Sequence, residues 1–195
     1  MISFLKGKID SKYNNYIVID VNNIGYKVFM TNSELQEVEI NQTIKVYTYM
    51  RVMEDDVSLY GFLTTEELSM FELLISVGGI GAKSAIAILS NIEPTKFALA
   101  IITDDVVTLK KLPGIGAKTA QRIILELKDK IKNNEELDNK DNKEKETKIN
   151  EKAQDAIDAL QVLGYNIKVI EKVIEKIDTE NLEVEEIIKQ GLKLL

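Results

Sequence analysis

Two stretches of this chain place glycines, a lysine and a small hydroxyl where they could hold a phosphate. Val77-Gly78-Gly79-Ile80-Gly81-Ala82-Lys83-Ser84 reads VGGIGAKS, and Leu112-Pro113-Gly114-Ile115-Gly116-Ala117-Lys118-Thr119 reads LPGIGAKT. Three phosphate-binding arrangements use such parts. A Walker P-loop needs Gly-Lys-Ser/Thr contiguous, so that the lysine reaches the terminal phosphates. Here Ala82 and Ala117 interrupt it, and the preceding MFELLISV continues a helical pattern where a P-loop follows a buried strand. A Rossmann turn needs a third glycine, a preceding strand and a distal acid, and none is evident.

The third arrangement is a helix-hairpin-helix. One helix ends, the chain turns on Gly-Ile-Gly, and a second helix starts with its unpaired amides aimed at a phosphate oxygen. In this reading Gly79, Gly81, Gly114 and Gly116 permit backbone angles that a side chain forbids and let the backbone approach the ligand. Lys83 and Lys118 add a cation in the first turn, followed by Ser84 and Thr119, and Arg122 adds one more charge. Ile80 and Ile115 face inward and pin the helices, and Ala85 and Ala120 allow close packing. Val77–Leu89 and Leu112–Ile124 align without gaps, with 7 of 13 positions identical, which is an internal repeat. Two such hairpins can grip the backbones of both strands of a duplex without reading bases. The plainer alternative is a pair of glycine-capped turns in an ordinary bundle; the lysine and hydroxyl repeated at the same offsets weigh against it.

Met53-Glu54-Asp55-Asp56 is a second constellation. Three adjacent carboxylates repel one another, so the loop is expected to be exposed. A solvated turn, a metal site needing further converging ligands, and a repulsive element that pushes phosphates away all fit the residue pattern.

Composition removes other chemistries. The 195 residues include no cysteine and no histidine. Disulfides, thiolate metal sites, cysteine nucleophiles and imidazole bases are therefore excluded. Apolar residues make up 45%, enough for buried cores. The start, MISFLKGKID, lacks the apolar run of a signal peptide, and no segment reaches the roughly 18 apolar residues of a membrane span. A cytoplasmic protein without membrane contact is expected. The net charge is −7, but it is uneven. Residues 1–62 carry net −2, residues 63–132 net +1 and residues 133–195 net −6. The glycine repeats lie in the one segment that is not acidic.

These sites need elements to position them, and the expected fold is multidomain α+β. Residues 1–63 read as about five short strands, among them Tyr16–Val21, Gly25–Met30 and Ile44–Tyr49, with Asn22-Asn23 as turn chemistry. A small closed barrel of the OB type is the economical arrangement. Residues 64–132 read as short helices broken at Gly78-Gly79, Pro94 and Pro113-Gly114. They open with a capping box at Thr64–Glu67. Residues 133–150 are charged and Asn-rich, and read as a flexible linker. Residues 151–195 read as a tethered three-helix, UBA-like bundle expected to dock a partner, with faces at Ala153–Leu163, Val169–Ile177 and Val184–Leu192.

The order of these parts matches something specific. A barrel with Leu5 and Gly7 leads into an acidic hairpin and Leu59-Tyr60-Gly61-Phe62. Two GIGAK hairpins, Leu125-Glu126-Leu127-Lys128-Asp129, a polar linker and Ala159-Leu160-Gln161-Val162-Leu163-Gly164-Tyr165 follow. Over essentially its whole length the chain resembles the RuvA family of Holliday junction branch-migration subunits. The resemblance implies a homotetramer, possibly an octamer on DNA, that binds an open four-way junction. It implies that Glu54 and Asp55, here joined by Asp56, form a central acidic pin. It also implies that the terminal bundle recruits a hexameric RuvB-type AAA+ motor, with a RuvC-type junction resolvase as a further partner. The chain itself would then be no enzyme and hold no cofactor or metal; ATP and Mg²⁺ would belong to the motor. Leu160, Leu163, Gly164 and Tyr165 are the expected motor contacts. The chain departs from the pattern in a weakly basic hairpin domain, with Arg122 its only arginine, and in the extra Asp56. Two other functions fit the residues alone: a metal-dependent structure-selective nuclease using the acidic loop, and a protein–protein adaptor that binds no DNA.

Overall fold

The computed structural model describes residues 1–138 and 151–195, in two compact units, Met1–Asn91 and Ile92–Leu195. The first unit opens with five strands, β1 (Phe4–Lys12), β2 (Tyr16–Val21), β3 (Ile24–Phe29), β4 (Thr43–Val52) and β5 (Val57–Phe62). They close into a barrel in the order β1-β2-β3-β5-β4. Strand alternation fills it: Leu5, Ile9, Ile17, Ile19, Val28 and Val46 point into one core. Asn22 and Asn23 turn β2 into β3 with φ of 54° and 65°. Asparagine tolerates this left-handed geometry, which matches the twist of a two-residue hairpin.

A helix that the sequence reading did not anticipate, α1 (Asn32–Glu37), sits between β3 and β4. Thr31 and Glu34 form a complete capping box. The Glu34 amide donates to Thr31 Oγ1 at 3.3 Å, and the Thr31 amide donates to Glu34 Oε2 at 3.2 Å. Glu34 is buried, and its other oxygen, Oε1, accepts from the Leu63 amide at 2.6 Å. One carboxylate thus ties α1 to the point where the chain leaves the barrel.

Helix α2 (Thr65–Ile75) follows. The Thr64 hydroxyl accepts from the Glu67 amide at 3.2 Å. The Glu67 carboxylate accepts from that hydroxyl at 2.9 Å, so the cap expected here rests on the threonine side chain. Phe71 packs on the barrel wall, its ring 5.4 Å from Tyr49, 5.4 Å from Tyr60 and 5.0 Å from Phe62. This explains the Tyr60-Gly61-Phe62 segment. The two rings point outward to meet Phe71, and Gly61 faces inward, where a Cβ would overlap the side chains of Val28 and Val46. Helix α3 (Ala82–Leu89) completes the first unit's regular structure.

The second unit contains α4 (Pro94–Ile102), α5 (Val106–Leu109), α6 (Ala117–Asp138), α7 (Glu151–Val162), α8 (Ile167–Ile174) and α9 (Val184–Leu194). Pro94 occupies the first turn of α4, where its missing N–H costs nothing. Helix α6 runs to Asp138, six residues into the stretch 133–150 expected to be a linker. Its sequence there, with Glu135, Glu136 and Leu137, favours helix. The remainder of that stretch, 139–150, lies outside the described residues.

The three terminal helices form the expected bundle, and Gly164, at φ 96°, ends the α7 segment. Leu160 packs against Gly191 of α9 so closely that a Cβ there would lie 3.0 Å from its Cδ1. The bundle is seated, however, not merely tethered. Helices α7 and α9 pack on α4, and α7 also meets α6. Two ion pairs, Glu93–Lys96 at 3.5 Å and Glu185–Lys189 at 2.9 Å, lie close enough on α4 and α9 to influence each other. The Glu185 hydrogen bond, above all, raises Lys189, and Glu93 adds to it. Among the described residues no single helix is long and apolar enough to cross a membrane.

Burial, and next the nearby Glu67 carboxylate, push the Glu34 carboxyl up to about 8, against hydrogen bonds from Thr31 and Leu63 that pull it down. The folded state therefore favours protonated Glu34, while the unfolded chain titrates near the ordinary 4.5. The stability from this site is full below that value and lost as pH rises through about 8. The melting temperature should fall across that window. Glu34→Gln, which cannot ionise, should flatten the fall by a few degrees. Thermal melts of both proteins over this pH range check it.

Candidate nucleic-acid interface

Each glycine repeat folds as a tight turn into a helix, and the two turns share their local hydrogen bonds. In the first, Val77 donates to Leu74 at 3.1 Å, Ile80 to Val77 at 3.1 Å, and Ala85 to Gly81 at 2.9 Å. In the second, Leu112 donates to Leu109 at 3.1 Å, Ile115 to Leu112 at 3.2 Å, and Ala120 to Gly116 at 2.9 Å. Helices α2 and α3 flank the first turn, α5 and α6 the second. Ile80 and Ile115 are buried as pins, and Ala85 and Ala120 are fully buried. No strand precedes either turn, so a P-loop and a Rossmann turn are excluded by geometry as well as by sequence.

The four glycines do two different jobs. Gly79 and Gly114 sit at φ 91° and 76°, where a side chain would strain the backbone. Gly81 does not: its φ is −92°, and Gly116 also lies outside the left-handed region. Neither would a Cβ at Gly81 or Gly116 meet any atom within 4 Å. The expectation that all four relieve backbone strain is corrected for these two. Their turns do not require glycine, and what its absence of a side chain leaves open is access.

That access leads to a helix start. Gly81 is the N-cap of α3 and contributes no side-chain cap. The first amides of α3 therefore point outward with the positive end of the helix dipole behind them. Lys83, Ser84 and Lys118 are exposed and Thr119 is half-buried, all in the first turns of α3 and α6. Arg122, one turn further, is exposed but lies 3.7 Å from Glu126, so part of its charge is already answered within α6.

The acidic residues sit on the β4–β5 turn, closed by a 2.8 Å bond from the Met53 amide to the Asp56 carbonyl. Glu54, Asp55 and Asp56 are all exposed. Asp56 differs from the other two because its carboxylate accepts from the Ser58 hydroxyl. It fastens the turn, a role that the spacing Asp-Val-Ser signals. Among the described residues, no group of three His, Cys, Asp or Glu side chains is gathered to hold a metal ion.

The terminal residues need a correction. Leu160 and Leu163 are 0% and 2% exposed, so they are core residues that present nothing to a partner. Helical spacing marked them as apolar but could not say what covers them. Gly164 is exposed and Tyr165 half-buried. The exposed large apolar side chains of the bundle are Val169 and Leu194.

Comparison with known proteins covers the whole architecture. The RuvA N terminal domain family matches residues 1–61, the SAM-like helix-hairpin-helix tandem residues 71–129, and the RuvA C-terminal domain residues 151–195. A protein of Acetivibrio thermocellus is 47% identical over 99% of this chain and 98% of its own. One of Lachnospira eligens is 43% identical over 100% and 99%, and one of Clostridium tetani 40% identical over 100% and 99%. Each of the three is named Holliday junction branch migration complex subunit RuvA. With such identity from end to end, and with all three domain families matched in order, the chain belongs to the RuvA family.

Proposed function

We propose that the chain binds four-way (Holliday) DNA junctions, holds them open, and recruits and stimulates a RuvB-type ATPase motor for branch migration in homologous recombination and repair. The observation that carries this reading is the repeated turn. Two glycine hairpins of the same local geometry each place an exposed lysine at the start of a helix. The phosphates they suit belong to a nucleic-acid backbone, because nothing in either turn is built to read a base. The relatives' shared name supports both the junction and membership of a complex.

In this reading Gly79, Gly81, Lys83 and Ser84 hold one backbone, and Gly114, Gly116, Lys118 and Thr119 the other, with Arg122 alongside. Glu54 and Asp55 repel phosphates where strands part, and Asp56 fixes their turn. The chain is not catalytic alone: ATP and Mg²⁺ serve the partner motor. A homotetramer, or two on one junction, multiplies weak contacts per arm into useful avidity, which offsets the low basicity of the hairpins. A RuvC-type resolvase is a further partner. The motor contact lies on the exposed side of the terminal bundle around Tyr165 and Val169, in place of Leu160 and Leu163. A gel shift comparing a four-way junction with linear duplex at fixed salt tests the reading; equal affinity for the two would reject it.

Lys83→Ala with Lys118→Ala should weaken every junction sequence alike and lower the log–log salt slope by about one per lysine. Gly81→Val and Gly116→Val should fold normally, since the added side chain meets open space, and yet lose at least as much affinity. Normal junction binding by any of these variants in anisotropy titrations would remove the backbone grip.

Glu54→Gln with Asp55→Asn should keep or tighten junction binding and reduce its preference over duplex. A metal-dependent nuclease predicts instead a Mg²⁺-dependent cleavage of synthetic junctions that the double variant loses. A fragment ending at Lys132 keeps both hairpins and sheds residues 133–195, which carry net −6. It should bind junctions at least as well as the full chain and fail to stimulate the motor's ATPase. Stimulation at the full-length rate would place the motor contact elsewhere.

A further inference from the structure

The outer face of the barrel carries a feature that the hairpins do not use. Six Lys and Arg residues occur in positions 1–62, and four of them, Lys6, Lys8, Lys27 and Lys45, project outward from β1, β3 and β4, with their inward neighbours in the core. Aromatic rings are interleaved with them. Lys27 Nζ lies 4.4 Å from the ring centre of Tyr16 and 4.9 Å from that of Phe29. Lys45 Nζ lies 4.3 Å from Tyr47 and 4.9 Å from Phe4. Strand register generates both clusters, because Tyr16 pairs with Phe29 and Phe4 with Tyr47. Tyr13 extends the first cluster, stacked on Tyr16 at 4.4 Å with 19° between the rings. Phe4 is 54% and Tyr13 50% exposed, a large area of ring to leave in water.

The lysines on this face are answered by rings and by the Tyr47 hydroxyl, to which Lys45 donates at 3.2 Å, more than by carboxylates. Lys6 pairs directly with Lys45 across β1 and β4, a like-charge pairing that costs stability. Among the described residues neither of these, nor Lys27, has a carboxylate at ion-pair distance. The acids on the flanking strands are Asp10 and Asp20; Asp20 lies opposite Lys8 and accepts from the Asn23 amide at 2.8 Å. Lysines without a carboxylate partner beside partly exposed rings suit an anion with flat groups attached. Ring faces suit unstacked bases and the ammonium groups suit the phosphates between them. Duplex DNA has its base faces covered, so it cannot use the rings. On small barrels of this type, strands 2 and 3 and the turn after strand 1 form the surface that takes oligonucleotides; here those are the positions of Tyr16, Phe29 and Tyr13.

We propose that two aromatic-lysine patches on the outer surface of the barrel, Tyr13, Tyr16, Lys27 and Phe29 in one and Phe4, Lys45 and Tyr47 in the other, bind single-stranded DNA by base stacking. The inference deepens the junction reading and rests on it for its role. β4 carries Lys45 and Tyr47 near its start and leads at its other end into the acidic turn, so strands parted at the turn and a surface for unpaired bases are carried by the same barrel.

The chain contains no tryptophan, so Tyr13→Trp gives full-length protein a single indole at the edge of the face. Titration with oligo-dT of about 20 nucleotides at low salt should quench its fluorescence saturably, because a base stacks on the indole. Adding Phe4→Ala or the exposed pair Lys27→Gln and Lys45→Gln should weaken the oligo-dT affinity about tenfold, with the circular dichroism unchanged. Lys83→Ala with Lys118→Ala should leave the quench intact while junction binding falls, which separates this surface from the hairpins. No saturable quench, or oligo-dT binding that only the hairpin variants reduce, overturns the proposal. So does a change in sedimentation mass in the face variants with oligo-dT affinity unaltered, which would make the face a contact between copies of the chain. If the parent protein failed to prefer junctions but the quench remained, the junction reading alone would fall.

Discussion

Unit charges attract or repel over a Debye length of about 8 Å at physiological salt, and this chain carries net −7. To hold a polyanion it must rely on local fields that the overall charge does not reach. Helix starts provide them at no cost in formal charge. The amides behind Gly81 and Gly116 are positive ends of dipoles, and in the proposed reading a single lysine beside each completes the site. The same constraint accounts for the absence of bulk at these glycines. An amide field decays within the first turn, so a phosphate bound as proposed must come close, and a side chain at position 81 or 116 would hold it off although the turn itself would tolerate one. Most of the carboxylates are kept elsewhere, 16 of them in residues 133–195.

Fields this short-ranged are useful only if the groups that make them are held still relative to the rest of their unit. In the first unit that rigidity comes from two contacts at the foot of β5. Phe71 locks α2 to the barrel through three rings, and Glu34 holds the Leu63 amide from inside the same junction. The acidic turn and the first hairpin are thereby carried on one body. An ionised carboxylate would be costly to bury here, and the group is accordingly favoured in its protonated form. Its geometry still gives it a use: one group satisfies the cap of α1 and an amide at the exit from the barrel.

The hairpins were legible because their signal is local. Glycine at fixed offsets, a repeated lysine and helical spacing on either side are all read within about 13 residues, and so was the two-residue turn at Asn22-Asn23. The barrel followed from alternation and from the need to close a sheet. What escaped depends on partners distant in sequence. The Thr31-Asn32-Ser33-Glu34 signature of α1 was present, but it follows a strand and precedes only six helical residues, too few for a periodic pattern to show. Alternation told which residues of β1 to β4 face outward, but only the register sets Lys27 between Tyr16 and Phe29. Helical period marked Leu160 and Leu163 as apolar without revealing that α9 and α4 cover the helix that carries them. Nor does sequence separate the two classes of glycine in each turn, because Gly79 and Gly81 are the same letter at different φ.

The seat of the terminal bundle on α4 follows from the same physics of small cores. A module of about 45 residues buries too little surface to be stable with any margin. Helix α7 shows how this one gains more. Leu160 and Leu163 lie on the stripe that closes the bundle, while Ala159 and Val162, displaced by a third of a turn, are buried as well. A surface helix of an isolated bundle would leave that second stripe wet. Here α7 is covered on more than one side, with α4 and α6 supplying the additional cover. Small residues are buried on both helices, Ala98 and Ala100 on α4 and Ala153, Ala156 and Ala159 on α7. The charged pairs Glu93–Lys96 and Glu185–Lys189 sit at the exposed margin of α4 and α9, where salt screens them. They orient the contact more than they hold it. The apolar stripe holds the bundle against α4, and this leaves the side bearing Val169 as the part of α8 that faces away from any core.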